Sequence, residues 1–325
     1  MGLFRKNKKE CAGLFLDRGI YRYISLFGYP GNYEVVRSVA GTLPDSFSLA
    51  AGVDGDSDLR LSKIFKNIVS EIGDTHTPVN IAIPATDSLL RIVQLPNVSL
   101  AEAKMAFRYD FERYFPFPVD EAVFDMAPIV YPLQTGGEEK RFLVAATRKA
   151  LINEIMNAGA AEGLDISAIE PAQIALERAV SELLPNINAT DSAVYVYVSK
   201  SNSVILLSWK GNGIFYRSLS EGFDKTSVSY SSEEDMQEES PEYIFLRAVH
   251  SSLQFAISQI RGFEPSAMFI FGPGASEELC ELFRGTVKVP SILSVDPLVV
   301  HGIELRAEDK SSGYWDIPLG LALRR

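Results

Sequence analysis

Cys11 and Cys280, with His76, His250 and His301, are the side chains of this 325-residue chain best suited to hold a metal or to pair a nucleophile with a base. Their spacing serves neither purpose. No pair falls at the short intervals that metal sites use, and no Gly-x-Ser-x-Gly turn is present. The two cysteines read as reduced, buried thiols of a cytosolic protein. What remains is recognition chemistry. Ala103, Phe107, Phe111 and Tyr114 recur at spacings of four, four and three, which puts a wide aromatic stripe on one face of a helix. Such a stripe is either core or one wall of a groove for an apolar peptide, and the rigid Phe115-Pro116-Phe117-Pro118 run extends it.

The elements that must position this stripe follow from local signals. An apolar strand, Leu89–Leu95, breaks at Pro96. Ser99 is a credible N-cap with Glu102 three residues on, a capping box, and Pro116 ends the helix. Arg108 and Glu112 are spaced for an i,i+4 pair on its flank. Upstream, runs at 13–16, 21–26 and 34–40 predict a three-strand meander with turns at 28–32 and 41–44. A helix over 59–72 stops at Gly73, and a strand covers 79–83. The segment 85–159 reads as an insert of strands and two helices, the second over 149–161, with a turn at Gly136-Gly137. Strand 166–169 and helix 172–184 return to the first half, and 184–188 is the expected linker. The second half repeats the plan. Strands at 193–198, 203–209 and 213–219 carry a hairpin signal at Gly211-Asn212-Gly213, and 231–240 is a polar, acidic loop. Ser240 and Pro241 open a helix that Gly262 closes; strand 268–271, a glycine turn and a helix from Ser276 to near Gly285 follow. Two halves on one plan suggest an internal duplication.

A net charge of −11 and a pI near 4.9 exclude a nucleic-acid footprint, which needs a clustered basic face. The only basic cluster is Arg5, Lys6, Lys8 and Lys9, read as a solvated arm. No run reaches the 18 or more apolar residues that span a bilayer, and no signal-peptide core is present, so a soluble cytoplasmic protein is expected. The terminal Ile317-Pro318-Leu319-Gly320-Leu321-Ala322-Leu323 has almost no polar face, so it belongs against a sheet rather than on lipid. Membrane contact is therefore expected to be indirect.

The order strand, Leu-Pro, capped helix, Tyr114-Phe115-Pro116-Phe117-Pro118 and acidic residues resembles PilM, the cytoplasmic actin-like component family of type IV pilus assembly. Gly13-Leu14-Phe15-Leu16-Asp17-Arg18-Gly19, Phe142-Leu143-Val144-Ala145-Ala146-Thr147-Arg148, Ala168-Ile169-Glu170-Pro171 and the terminal Ile317–Arg324 segment are similar to other blocks of that family. The resemblance implies an α/β, actin-like (ribonuclease H-like) bilobal fold with an inserted subdomain in the first half. The first subdomain would be 1–84, completed by 160–186 and a C-terminal helix at 314–325. The insert, 85–159, would bind the partner, and 187–313 would form the second half. The implied function is a scaffold of the inner-membrane assembly platform that binds the cytoplasmic N-terminal peptide of a PilN-like bitopic protein. Other platform components and the assembly ATPase are further implied partners. Leu89, Ile92, Leu95, Ala103, Phe107, Phe111, Tyr114 and Phe117 are the candidate walls of a peptide groove between the insert and the first half. The alternatives are an actin-like ATPase and the cytoplasmic half of a GspL-like type II secretion protein. The absence of a membrane span after Arg325 counts against the latter.

The same fold implies ATP in a cleft, cradled by two Asp-x-Gly hairpins. The first hairpin keeps Asp17 and Gly19, but Ile20, Tyr21 and Arg22 stand where hydroxyls would be. In the second, alignment puts Val196 and Val198 at the Asp and Gly positions. The adenosine-side turn survives in part as Gly272, Gly274 and Ala275, with Pro273 between the glycines. Both phosphate loops are thus degenerate, and no cofactor is expected although ATP and magnesium are implied by the resemblance. Glu170, at a strand end facing the implied cleft, stands where a water-activating acid could lie but has no partner visible in the sequence. No catalytic or metal-binding residue, and no enzyme, is expected.

Overall fold

Short apolar runs broken by tight turns draw three strands from the start of the chain: β1 (Lys9–Asp17), β2 (Ile20–Tyr29) and β3 (Asn32–Thr42). The computed structural model describes residues 9–49, 61–73, 76–133, 137, 139–181, 183, 192–223, 240–311 and 313–324. The basic arm at Arg5, Lys6 and Lys8, Gly136, the expected linker 184–188 and the acidic loop 231–239 lie outside them. The strands are longer than their apolar cores because the turns are tighter than expected: Tyr29 pairs directly with Asn32, with Gly31 at φ 78°.

In chain order there follow α1 (Leu61–Ile72), β4 (Val79–Ile83), β5 (Leu89–Pro96), α2 (Leu100–Asp110), β6 (Ala122–Ile129), β7 (Glu139–Arg148), α3 (Lys149–Ala161), β8 (Ile166–Pro171) and α4 (Ala172–Val180). The remainder comprises β9 (Ser192–Val198), β10 (Ser203–Trp209), β11 (Asn212–Leu219), α5 (Pro241–Gln259), β12 (Ala267–Phe271), α6 (Glu277–Thr286), β13 (Ile292–Ser294), α7 (Pro297–Val300), α8 (Ala307–Ser311) and α9 (Asp316–Ala322).

Internal packing divides the chain into two units: Met1–Ser88 with Thr147–Ala179 and Pro297–Arg325, and Leu89–Ala146 with Val180–Asp296. In the first, a sheet of order β3-β2-β1-β4-β8 carries helices on both faces. Leu61, Ile64, Phe65, Ile68 and Ile72 of α1 pack with Leu151, Ile155 and Ala158 of α3 over one face. α3 therefore packs within this unit, whereas the sequence reading had placed it in the insert. Over the other face lie Leu319, Ala322 and Leu323 of the C-terminal segment, with Ala179 and Leu298. α9 is buried along its whole length, as its lack of a polar face requires.

In the second unit, a sheet of order β11-β10-β9-β12-β13 repeats the first in order and in strand directions, two antiparallel neighbours and then two parallel ones. This is the duplication that the sequence suggested. The hairpin turn between β10 and β11 is Lys210-Gly211, with φ of 50° and 79°, one residue earlier than the glycine pattern predicts. Asn212 is thereby left free to bond outside the turn, and its side chain accepts from the Val130 amide (2.8 Å) and donates to the Val130 carbonyl (2.9 Å). That contact ties the three-stranded sheet β5-β7-β6 of the insert to β11, and Ile92, Ile129 and Tyr131 pack on the core beneath. The insert thus groups with the second half of the chain.

Candidate functional site

The aromatic helix forms as its signals predict. Ser99 Oγ accepts from the Glu102 amide (3.3 Å) while the Glu102 carboxylate accepts from the Ser99 amide (2.9 Å). The Ser99 hydroxyl, which donates to the Glu102 carboxylate (2.6 Å), and then the Ser99 amide hold the Glu102 carboxyl below its usual range. A 3-10 turn at Phe111–Arg113 then carries the chain to Phe115, whose ring stacks on Phe111 at 4.7 Å. Arg108 does not pair with Glu112: it faces Asp120 at 3.6 Å, and Lys104 meets Asp125 at 2.5 Å, so both cations reach the strand β6 side.

The stripe itself is core. Ala103, Phe107 and Phe111 are 0% exposed and Leu95 is buried, packed with Val93, Phe115, Met126, Phe142 and Val144 between α2 and the sheet. These four therefore cannot line a groove, because their surface is already covered by the insert's own strands. Ile92 sits on the opposite sheet face, against the core under β9–β11. Of the eight expected walls only Leu89, Tyr114 and Phe117 stay half-buried at the margin of the aromatic cluster. Sequence reasoning missed Phe124 and Phe142 as the partners that close this core. The alternation of apolar residues in β6 and β7 was the available signal.

In the first unit, Asp17 ends β1 and its carboxylate accepts from the Arg18 amide (2.8 Å), with Gly19 at φ 75° making the turn. Burial raises the Asp17 pKa. A second acid, not foreseen, stands beside it: burial first, and then the Asp17 charge, raises the pKa of Asp87. Its sequence signal was weaker than that of Asp17, an acid in the loop after a buried strand rather than at the strand's last position. Glu170 has partners after all. Buried at 4% exposure, it takes Arg178 through both oxygens (2.6 and 3.0 Å) and also pairs with Arg324, while Arg178 donates to the Gly320 carbonyl (2.7 Å). A carboxylate already held by two guanidiniums is an anchor for the C-terminal segment, not a free base.

In the second unit, Val198 and Ser203 close the β9–β10 hairpin as Asp17 and Ile20 close the first. Strand end for strand end, Val198 rather than Val196 is the counterpart of Asp17, and its side chain is fully buried. The turn satisfies its own amides: those of Ser201 (3.3 Å) and Asn202 (3.1 Å) donate to Ser199 Oγ. The Phe223 amide donates to the Ser199 carbonyl (2.8 Å), and a Cβ on Gly222 would lie 2.4 Å from the backbone of this turn. Gly272 (φ 100°) and Gly274 are explained by close approach to β9. The Gly274 amide donates to the Val198 carbonyl (2.9 Å), and a Cβ there would meet Val198 Cγ1 at 2.8 Å. Among the described residues no group of three His, Cys, Asp or Glu could hold a metal ion.

With this geometry in place, comparison with known proteins is decisive at one point. The family model for type IV pilus assembly protein PilM matches residues 45–245, more than half of the chain. The chain belongs to the PilM family. Its fold matches that of the PilM–PilN type IV pilus biogenesis complex with a TM-score of 0.74 at 20% identity, over 97% of this chain and 98% of that one. It also resembles the cytoplasmic domain of EpsL, an inner-membrane component of the type II secretion system of Vibrio cholerae, with a TM-score of 0.53 at 11% identity over 95% and 98% of the two chains. At these identities the likeness is one of fold. No curated protein matches in sequence. For this PilM-family chain the α/β, actin-like fold class expected from the sequence stands.

Proposed function

We propose that this chain is a cytoplasmic scaffold of the type IV pilus assembly platform, and that it holds the N-terminal segment of a PilN-like membrane protein. The match of 97% of the chain to the PilM–PilN complex, on a chain of the PilM family, is the observation that carries this reading. No described helix is long and apolar enough to cross a membrane, so the partner would supply the membrane contact. Among the described residues of the insert, β5 has a single strand neighbour, β7. An extended peptide can add to such an edge through main-chain hydrogen bonds, with Leu89, Tyr114 and Phe117 as side-chain contacts. Titration with a synthetic PilN-type N-terminal peptide tests this. The well-folded Tyr114→Ala/Phe117→Ala double variant should bind at least about tenfold more weakly. Unchanged affinity would place the peptide elsewhere.

The reading includes no tight nucleotide site. A buried valine at the second hairpin offers no metal ligand, and turn amides bonded within the chain cannot also cradle phosphate, each such bond being worth ~1.5–3 kcal/mol when charge-assisted. Calorimetric titration with Mg·ATP is expected to show no saturable binding up to about 1 mM, a threshold near −4 kcal/mol. The Asp17–Asp87 pair favours the other reading, an actin-like ATPase. A micromolar dissociation constant would overturn the reading of the second hairpin, and phosphate release alongside it would establish the ATPase.

A further inference from the structure

One exposed face of α5 carries both parts of a knob-and-hole contact, and we propose that two copies of this chain pair through it, antiparallel, about a two-fold axis beside Ser251. Ile244, Arg247, Ala248 and Ser251 stand at i, i+3, i+4 and i+7, the four corners of a hole on a helix surface. With Tyr243 they line a shallow depression of about 310 Å³. One turn beyond it Phe255 is 54% exposed and Ile244 at its rim is 46% exposed, whereas Phe245, Leu246, Val249, Leu253 and Ala256 bury the opposite face.

A two-fold axis beside Ser251 sets each residue n places before it opposite the residue n places after it in the second copy. Phe255 then lies across from Arg247, four places on either side, and enters the hole, and the same contact is made twice. This is the self-complementarity that an isologous interface needs. The electrostatics agree. Arg247 is the only Lys, Arg, Asp or Glu between Tyr243 and Gln259, and the pairing sets its guanidinium against an aromatic ring. The two Arg247 side chains start about 12 Å apart along the axis, so they do not oppose each other. Ser251, small and exposed, lets the helices approach at the crossing. A single crossing of a 19-residue helix, ~28 Å long, buries less than the ~1,200 Å² of a standard interface, so the dimer is a weak one.

Sedimentation velocity on the full chain, from about 5 to about 500 µM, should show a monomer–dimer equilibrium. Phe255→Glu, at an exposed site, should leave the melting curve unchanged and raise the dimer dissociation constant at least about tenfold. In a second arm, Ser251→Cys should form an intermolecular disulfide under mild oxidation, and Gln259→Cys, eight residues from the axis, should not. Monomer throughout the range without cross-linking overturns the proposal. So does self-association that Phe255→Glu leaves intact, or a face whose Phe255→Glu variant loses only the PilN-type peptide.

Discussion

Gly320→Val is expected to unfold the first unit's C-terminal seat. A Cβ at Gly320 would lie 1.8 Å from the Ala175 carbonyl oxygen and 2.5 Å from its carbon, both backbone atoms of α4. The helix cannot retreat. On its other side a Cβ at Gly13 would lie 2.0 Å from the Pro318 carbonyl oxygen, so β1 and α9 already touch backbone to backbone. Three hydrogen bonds also fix its position: Asn80 to the Leu321 carbonyl (2.9 Å), Arg178 to Gly320 and Cys11 to the Arg324 carbonyl (3.3 Å). Overpacking where side chains can give way costs ~1–3 kcal/mol, and here only backbone could move, so a loss of ~3 kcal/mol or more is expected. Thermal melting should show it as a drop of several degrees in the transition of this unit. Gly285→Ala is the control. It lies within α6 with no heavy atom within 4 Å of an added Cβ, so alanine should stabilise by ~0.5–1 kcal/mol. A Gly320→Val chain that melts like the wild type would mean that α9 is not seated as described.

Features set by near neighbours in the chain were legible before the structure. The Ser99/Glu102 capping box, the Ser240–Pro241 helix start and the meanders depend on residues three or four apart, or on alternation along one strand. The burial of α9 was legible for a similar reason, since a helix without a polar face has few other places to go. The candidate site was less so. Periodicity shows which residues share a face, not what covers it, so the Phe107 stripe read equally as core or groove until β6 and β7 were seen to close over it. Glu170 seemed to lack a partner because its two arginines are 8 and 154 residues away. The insert's attachment to β11 joins one asparagine side chain across 82 residues and packs Ile92, Ile129 and Tyr131 on a core distant in sequence, which no local signal announces.

Phe107→Ala follows from that closure, and its effect should reach the partner only through folding. Phe107 is fully buried, and its ring has Tyr114 at 5.5 Å, Phe124 at 5.7 Å, Phe111 at 6.0 Å and Phe115 at 6.3 Å. Truncating a buried phenylalanine costs ~3–5 kcal/mol, and the lost edge-to-face pairs lie within that range. The described part of the insert packs its helix α2 on three strands through this one small aromatic cluster, so a loss of this size removes most of what holds α2 to the sheet. Amide hydrogen exchange should therefore rise throughout Leu89–Ala146 while β1, β4 and α9 keep their protection. Peptide binding should fall with the insert's folded fraction. Phe107→Leu, which keeps most of the volume, should cost only ~1–1.5 kcal/mol and retain binding. The informative contrary result is a Phe107→Ala chain with native exchange in the insert and no peptide affinity. That would mean the aromatic face opens to the partner and that Phe107 lines the groove directly.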